Sequence, residues 1–225
     1  MIDYNAVEFA DNLEPRCPCI LLLDVSYSMA GDRIEELNAG LQIFKENLMQ
    51  DDLASLRVEI AIVTFGGDTK TGVKVKQDFI TADQFSPPVL SATGGTPMGV
   101  AINLALDKIQ ERKSIYRQTG VPYYRPWIFM ITDGEPTDEW QSAARRVKEA
   151  EERKSVAFFC VGVMEANIEK LARISTRQPI KLKGLNFREM FVWLSQSLTS
   201  VSHSVVGEQV PLESPVGPKG WGAID

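Results

Sequence analysis

Short apolar runs alternate along the chain with longer segments in which apolar residues recur every three or four positions. The runs CILLL, EIAIV, WIFMI and FFCVGV are apolar at nearly every position, which is typical of strands covered on both faces of a sheet. Residues 31–49 show the helical spacing, with apolar side chains at Ile34, Leu37, Leu41, Phe44 and Leu48. We therefore expect strands and amphipathic helices in alternation.

This order predicts an α/β fold, with a doubly wound, mostly parallel sheet of six strands and helices on both faces. The segment GVKVKQDFI alternates polar and apolar residues after the turn GGDTKTG, so it is expected to form one antiparallel edge strand. A helix is expected from about Thr137 to Arg153, with Asp138 as an exposed residue of its first turn. A last helix is expected after Asn186, with Glu189 completing a capping box. The predicted divisions are an N-terminal extension (1–15), one domain (16–203) and a Pro/Gly-rich tail (204–225).

Charge and hydrophobicity argue against two kinds of partner. The 225-residue chain has a formal net charge of −6 and no basic stripe, which argues against nucleic acid. Its apolar runs are too short to cross a bilayer, and its acidic N-terminal segment lacks the apolar core of a signal peptide. We therefore expect a cytoplasmic protein that does not bind membranes.

Cysteine and histidine are scarce. The three cysteines, Cys17, Cys19 and Cys160, lie in predicted strands and are expected to be small buried side chains, since a zinc site needs about four nitrogen or sulfur ligands. His203 is the only histidine and is expected at the surface. A zinc hydrolase centre and a serine–histidine pair are therefore not expected.

Three polar clusters follow predicted strands or open a predicted helix. Asp24, Ser26 and Ser28 end the first strand, Thr96 joins a Gly-rich loop to a helix, and Asp133 ends the strand that begins near residue 127. Ligands of such sheets bind beyond the carboxyl ends of the strands, so these side chains are expected at one edge. Their two carboxylates and three hydroxyls form an all-oxygen set of the kind that hard divalent cations prefer, Mg²⁺ among them.

Each of these residues also has a plain structural interpretation. Asp24 and Asp133 are common strand-end turn residues, and the two serines could cap the following helix. Thr96 could serve only as an N-cap before a helix that opens with proline. A buried Asp24 without a charged partner would be costly, however, and a bound cation would offset that cost.

The same residues resemble a known family. The D-x-S-x-S motif at 24–28, the threonine of GGTPMG and the aspartate of ITDGEPTD are similar to the metal ion-dependent adhesion site of von Willebrand factor A (VWA) domains. The resemblance covers residues 16–203, and the flanking sequence looks most like the TerY-like bacterial intracellular group associated with tellurium resistance.

The resemblance implies a metal-dependent protein-interaction module rather than an enzyme. It implies that Ser26, Ser28 and Thr96 bind Mg²⁺, with Mn²⁺ or Ca²⁺ as alternatives, and that Asp24 and Asp133 bind it directly or through water. One open coordination position would take a Glu or Asp carboxylate from a partner protein. The TerY-like group further implies a scaffold role in bacterial stress response, with kinase-like or phosphatase-like partners.

One residue departs from the family pattern, and two other functions stay open. Tyr27 stands where glycine is usual between the two serines, so it could shape partner choice or hinder access. A metal-dependent phosphatase could use Asp24 as its nucleophile, but Ser26 replaces the second aspartate that such chemistry needs. The third function is a structural subunit whose site is empty.

Overall fold

The computed structural model describes residues 9, 11–67, 70–218 and 220–224. Most of the predicted N-terminal extension, residues 1–8 and 10, therefore lies outside the described residues, as do residues 68 and 69 of the predicted turn. The strands are β1 (Cys17–Val25), β2 (Val58–Gly66), β3 (Val73–Thr81), β4 (Trp127–Thr132), β5 (Ala157–Gly162), β6 (Ile180–Leu182) and β7 (Gly222–Ala223).

The α-helices lie between these strands and cover both faces of the sheet. They are α1 (Asp32–Leu48), α2 (Asp52–Arg57), α3 (Met98–Thr119), α4 (Gln141–Glu152), α5 (Ile168–Leu171) and α6 (Phe187–Ser202). Cys19, Leu21 and Leu23 of β1 face the core shared with α1 and α6. Ile20 and Leu22 face the opposite core, which is shared with α3 and α4. Burial of alternate side chains on both faces explains why β1 is apolar at consecutive positions.

The sheet has the predicted doubly wound topology, with strand order β3-β2-β1-β4-β5-β6-β7. Strands β2, β1, β4, β5 and β6 pair in parallel, whereas β3 and β7 pair antiparallel at the two edges. The α/β class and the antiparallel β3 are confirmed. The predicted number of six strands is wrong, because the described part of the chain forms seven and therefore has two antiparallel edges.

The additional strand comes from the Pro/Gly-rich tail. Ala223 and Gly222 pair with Lys181 and Leu182 of β6, and the Trp221 ring lies 5.6 Å from that of Trp193. The Trp193 indole donates a hydrogen bond of 2.8 Å to the carbonyl of residue 213. The tail thus packs against α6 and extends the sheet.

Two helix starts differ from the sequence prediction. Helix α4 begins at Gln141 rather than near residue 137, because Glu139 accepts a hydrogen bond from the Ser142 backbone N–H (2.9 Å) and so caps the first turn. Helix α6 begins at Phe187, but the Asn186 side chain makes no capping hydrogen bond, so the predicted capping box does not form.

The cysteines and the histidine lie as the sequence suggested. Cys17, Cys19 and Cys160 are buried free thiols, and burial raises the pKa of each. His203 is exposed, and its Nε2 lies 2.9 Å from the Asp51 carboxylate that caps α2.

A buried ionic cluster lies at the N-terminal edge of the sheet, away from the strand ends that carry the polar motifs. Glu59 of β2 is 1 % exposed and accepts hydrogen bonds from Arg16 (2.9 Å), Arg112 (2.8 Å) and the Tyr116 hydroxyl. These donors satisfy the carboxylate, so the cluster ties β1, β2 and α3 together.

Within the part of the chain that the structure describes, no helix combines the length and hydrophobicity of a membrane span.

Candidate metal centre

The candidate site lies at the carboxyl ends of the two central strands, β1 and β4. Asp24 is the penultimate residue of β1, and Ser26 and Ser28 follow as the chain turns through a short 3₁₀ segment, Tyr27–Met29. Asp133 follows the last residue of β4. Because β1 and β4 pair in parallel, both strand ends point to the same edge of the sheet.

Asp24 is fully buried and bonded to neutral donors. Its Oδ1 accepts a hydrogen bond of 2.8 Å from the Ser26 backbone N–H, and its Oδ2 accepts one of 2.5 Å from the Thr132 hydroxyl. Burial raises the pKa of Asp24 to about 6, although these hydrogen bonds oppose the shift; the neighbouring Asp133 adds to it. Ionised Asp24 therefore sits in an environment that favours a nearby positive charge.

A chain of hydrogen bonds links the two serines to Asp133. The Ser26 and Ser28 hydroxyl oxygens are 2.9 Å apart, and the Ser28 hydroxyl donates to Asp133 Oδ1 at 2.6 Å. Ser26 is 2 % exposed and Asp133 is 8 % exposed. Three of the oxygens predicted as ligands are thus neighbours, with Ser26 and Asp133 buried and Ser28 at the surface.

Arg33 is part of this site, although the sequence analysis did not identify it. Its Nη1 lies 2.5 Å from Asp133 Oδ2 and 2.6 Å from the Ser28 carbonyl oxygen. Arg33 stands in the first turn of α1, where its charge looks like that of an ordinary exposed helix residue. It lies five residues after Ser28, and no local sequence pattern indicates that its side chain turns toward Asp133.

Thr96 lies next to Gly134, the residue that follows Asp133. A methyl group added to Gly134 would lie 3.0 Å from the Thr96 hydroxyl oxygen and 3.5 Å from Asp24 Oδ2, which places Thr96 close to Asp24. The Thr96 backbone N–H donates to the Thr137 hydroxyl (3.1 Å), and its carbonyl accepts from the Thr137 N–H (2.9 Å). These contacts fix the loop that follows β4 to the loop that carries Thr96.

The predicted N-cap role of Thr96 is wrong. Helix α3 begins at Met98, so Pro97 is not its first helical residue, and the cap comes from Asp138. The Asp138 carboxylate accepts hydrogen bonds from the backbone N–H groups of Gly99 (3.0 Å) and Val100 (2.9 Å). Asp138, which the sequence placed in the first turn of the next helix, lies instead in the loop before α4, where it satisfies the first N–H groups of α3.

Tyr27 does not fill the site. Its side chain is 76 % exposed, and its backbone N–H donates to the Gly94 carbonyl oxygen at 3.0 Å. Gly94 has a φ of +77°, a conformation that favours glycine, so the Gly-rich loop approaches Tyr27 closely. The departure from the family pattern therefore puts an aromatic ring on the surface beside the strand ends.

The donor chemistry fits a hard divalent cation. Within the described residues, no group of three or more His, Cys, Asp or Glu side chains could hold a metal ion. The candidate site contains two carboxylates, and its other predicted ligand oxygens belong to hydroxyl groups. Mg²⁺ binds both kinds of oxygen. A buried carboxylate with neutral donors, next to a second carboxylate, is the feature that favours a cation here.

The family assignment follows from residues 19–190, which match the model of the von Willebrand factor type A domain. The chain belongs to the VWA family. It is 23 % identical over 181 residues to a mouse (Mus musculus) collagen alpha-4(VI) chain, an alignment that covers 76 % of this chain and 7 % of the collagen chain.

Solved structures share the fold at low sequence identity. The pilus adhesin SpaC from Lactobacillus rhamnosus GG, in its open conformation, matches with a TM-score of 0.66 and 13 % identity, over 84 % of this chain and 31 % of SpaC. Proximal thread matrix protein 1 from the mussel byssus, with a zinc-occupied MIDAS motif, matches with a TM-score of 0.59 and 15 % identity, over 84 % of this chain and 49 % of that protein. The chain thus spans less than half the length of either protein.

Proposed function

We propose that this chain is a metal-dependent protein-binding domain. Its cation is held by Asp24, Ser26, Ser28, Thr96 and Asp133, and it binds a Glu or Asp carboxylate of a partner protein at an open coordination position. The observation that supports this most strongly is the buried Asp24, bonded to neutral donors and lying beside Asp133. The proposed ligand set is the one that the resemblance to VWA domains implied.

The cation would supply a directional positive charge for a partner carboxylate. Ser26 and Ser28 already lie together, and the Ser28 hydroxyl fixes one Asp133 oxygen toward them. Gly134 leaves room for Thr96 to approach from the opposite loop. The exposed Tyr27 ring stands where a docked partner would contact it, and is proposed to contribute to partner choice.

Catalysis is not part of the proposal. Ser26, two residues after Asp24, cannot act as the carboxylic acid–base of a phosphatase. His203, the only histidine of the chain, is engaged with Asp51 next to α2. The alternative of a closed, purely structural site loses its main support, because the Tyr27 side chain extends to solvent.

The finer parts of the proposal rest on the sequence alone. They are Mg²⁺ as the physiological ion, a cytoplasmic location, a scaffold role in a bacterial stress or tellurium-resistance system and kinase-like or phosphatase-like partners. The relatives reported above, named for a collagen chain, a pilus and a mussel byssus, do not support that system. The domain limits of 16–203 and the tail limits of 204–225 also stay predictions.

Titration calorimetry of Mg²⁺ and Mn²⁺ into chelator-treated protein tests the proposal. We expect saturable binding by the wild type, none by Asp24→Ala, and weaker binding by Thr96→Ala. Asp107→Ala is the matched control, because Asp107 is an exposed carboxylate paired with Arg146 on the helical surface. Equal binding by Asp24→Ala and wild type would place the cation elsewhere and overturn the ligand set.

A further inference from the structure

Arg33 brings a permanent positive charge into the candidate metal centre. The same nitrogen, Nη1, donates to Asp133 Oδ2 at 2.5 Å and to the Ser28 carbonyl at 2.6 Å. The Asp133 side chain is 1 % exposed and that of Arg33 is 28 % exposed, so water screens only the outer part of the ion pair. The guanidinium therefore compensates one of the two carboxylate charges at the site.

We propose that Arg33 is a built-in counter-ion that sets the charge of the site. It weakens binding of the divalent cation, and it leaves the loaded site with a net positive charge that favours a carboxylate ligand. The inference rests on the proposed function, since it concerns the affinity of that same site for its cation and for its partner's carboxylate.

The charges account for both parts of the proposal. Asp24 and Asp133 contribute two negative charges, and Arg33 reduces the total to a single negative charge. A divalent cation then gives the site one net positive charge, which a partner's carboxylate neutralises. Without Arg33, the cation alone would neutralise the site, so the cation would bind more tightly and an added carboxylate would gain less.

The position of Asp133 does not depend on Arg33 alone. Its other oxygen, Oδ1, accepts the hydrogen bond from the Ser28 hydroxyl at 2.6 Å. Removing the guanidinium therefore leaves Asp133 anchored beside the serines, and the main change is the loss of positive charge. If Arg33 acted mainly by orienting Asp133, its removal would weaken cation binding instead.

Calorimetry with Mg²⁺ alone separates these two roles. Arg33→Gln and Arg33→Met remove the charge with and without a hydrogen-bond donor, and Arg33→Lys keeps the charge. We expect the two neutral variants to bind Mg²⁺ about tenfold more tightly than wild type at pH 7.5, and the lysine variant to bind like wild type. Arg146→Gln, which neutralises an exposed arginine paired with Asp107, should change nothing.

Thermal unfolding gives a second readout that does not depend on heats of binding. In the absence of metal, Arg33→Gln should melt at a lower temperature than wild type, because two carboxylates are left without a counter-ion. Addition of Mg²⁺ should raise the melting temperature of this variant more than that of wild type, as tighter binding to the folded state requires.

Acetate serves as the probe for the second half of the proposal. Replacing chloride by acetate, at constant ionic strength and matched free Mg²⁺, should tighten Mg²⁺ binding to wild type and have a smaller effect on Arg33→Gln. An equal effect of acetate on Mg²⁺ binding by both proteins would show that Arg33 does not cause the preference for a carboxylate ligand.

The other outcomes are also decisive. Neutral variants that bind Mg²⁺ as weakly as wild type, or more weakly, would overturn the counter-ion role and leave the metal centre intact. If Arg33→Lys bound Mg²⁺ as tightly as the two neutral variants, the shape of the Arg33 side chain, and not its charge, would set the Mg²⁺ affinity. No binding by any of the proteins would remove the metal centre itself, and the inference with it.

Discussion

The Thr132 hydroxyl, at the end of β4, donates a 2.5 Å hydrogen bond to the carboxylate of Asp24, at the end of β1. The two residues are 108 positions apart in sequence, and both side chains are completely buried. This bond connects the two strand ends that carry the candidate ligands. It also stabilises the ionised form of a carboxylate whose pKa is raised by burial.

Thr132→Val should therefore destabilise the metal-free protein while leaving its volume nearly unchanged. The substitution removes the hydrogen bond to charged Asp24, and also the 3.2 Å bond that the Thr132 hydroxyl accepts from the Gly134 backbone N–H. Loss of the bond to ionised Asp24 alone costs about 2 kcal/mol of unfolding free energy. Urea denaturation at pH 7.5 without metal measures this loss. Thr119→Val is the matched control, because the Thr119 hydroxyl bonds only to backbone carbonyls of its own helix. A loss no larger than that of the control would contradict the role given to Thr132.

The raised pKa of Asp24 predicts how the stability of the metal-free protein depends on pH. The folded-state pKa of about 6 lies above the unfolded value of about 4, so the folded protein holds the proton more tightly. The resulting stabilisation is fully present below about pH 4, and it is lost as the pH rises through about 6. Its magnitude is about 3 kcal/mol, on the scale of 1.4 kcal/mol per pKa unit.

The difference in unfolding free energy between wild type and Asp24→Asn isolates this contribution. In the presence of a chelator, wild type should lose about 2 kcal/mol of this stabilisation relative to the variant between pH 4 and pH 7, and the rest outside that range. A difference that stays constant over this range would show that Asp24 titrates normally, and that its burial does not favour a cation.

Gly134→Ala should weaken cation binding with little effect on the fold. The added methyl group would lie 3.0 Å from the Thr96 hydroxyl oxygen, which is tighter than an ordinary contact, so Thr96 must shift. Calorimetry should show Mg²⁺ affinity reduced by about tenfold, equivalent to about 1.4 kcal/mol. Gly120→Ala is the control, because Gly120 lies at the C-terminal end of α3 and its added methyl group would meet no atom within 4 Å, so the Mg²⁺ affinity should not change. Unchanged affinity in Gly134→Ala would place Thr96 outside the ligand set.

Asp138→Ala should destabilise the protein without changing cation affinity. Asp138 caps α3 through the backbone N–H groups of Gly99 and Val100, and loss of such a cap costs about 1 kcal/mol. Urea denaturation and Mg²⁺ calorimetry on the same preparation test the two statements separately. A marked loss of Mg²⁺ binding would instead make Asp138 a ligand.

Trp221→Ala should destabilise the protein if the tail belongs to the folded unit. Trp221 is 4 % exposed and packs against Trp193, so truncation to alanine should cost about 3 kcal/mol or more. Val205→Ala, a substitution at an exposed residue earlier in the tail, should cost almost nothing. A loss below about 1 kcal/mol for Trp221→Ala would mean that the tail is not tied to the domain in solution.

The positions of the candidate ligands in the fold were predictable where the sequence signal was local. Asp24, Ser26 and Ser28 interrupt an apolar strand, and Asp133 ends another, so strand pairing alone brings them to one edge. Arg33, by contrast, meets Asp133 across 100 residues, and no local pattern predicts which helix side chain turns toward a strand end.

Two further features depend on packing rather than on pattern. Strand β7 is only Gly222–Ala223, with no apolar alternation, and it forms because Trp221 packs against α6. The cap of α3 comes from Asp138, almost 40 residues after that helix begins, whereas the local signal pointed to Thr96. Residues that act across long sequence separations were the ones that sequence reasoning missed.

The central claim is that one divalent cation lies among Asp24, Ser26, Ser28, Thr96 and Asp133. Crystals of the protein grown with Mn²⁺ test it most directly, because manganese scatters anomalously and reveals its own position. The account predicts a single strong anomalous peak within bonding distance of the two serine hydroxyls, and no such peak in crystals of Asp24→Ala. A peak at another place on the chain, or none at this edge in wild-type crystals with Mn²⁺ present in excess, would contradict it.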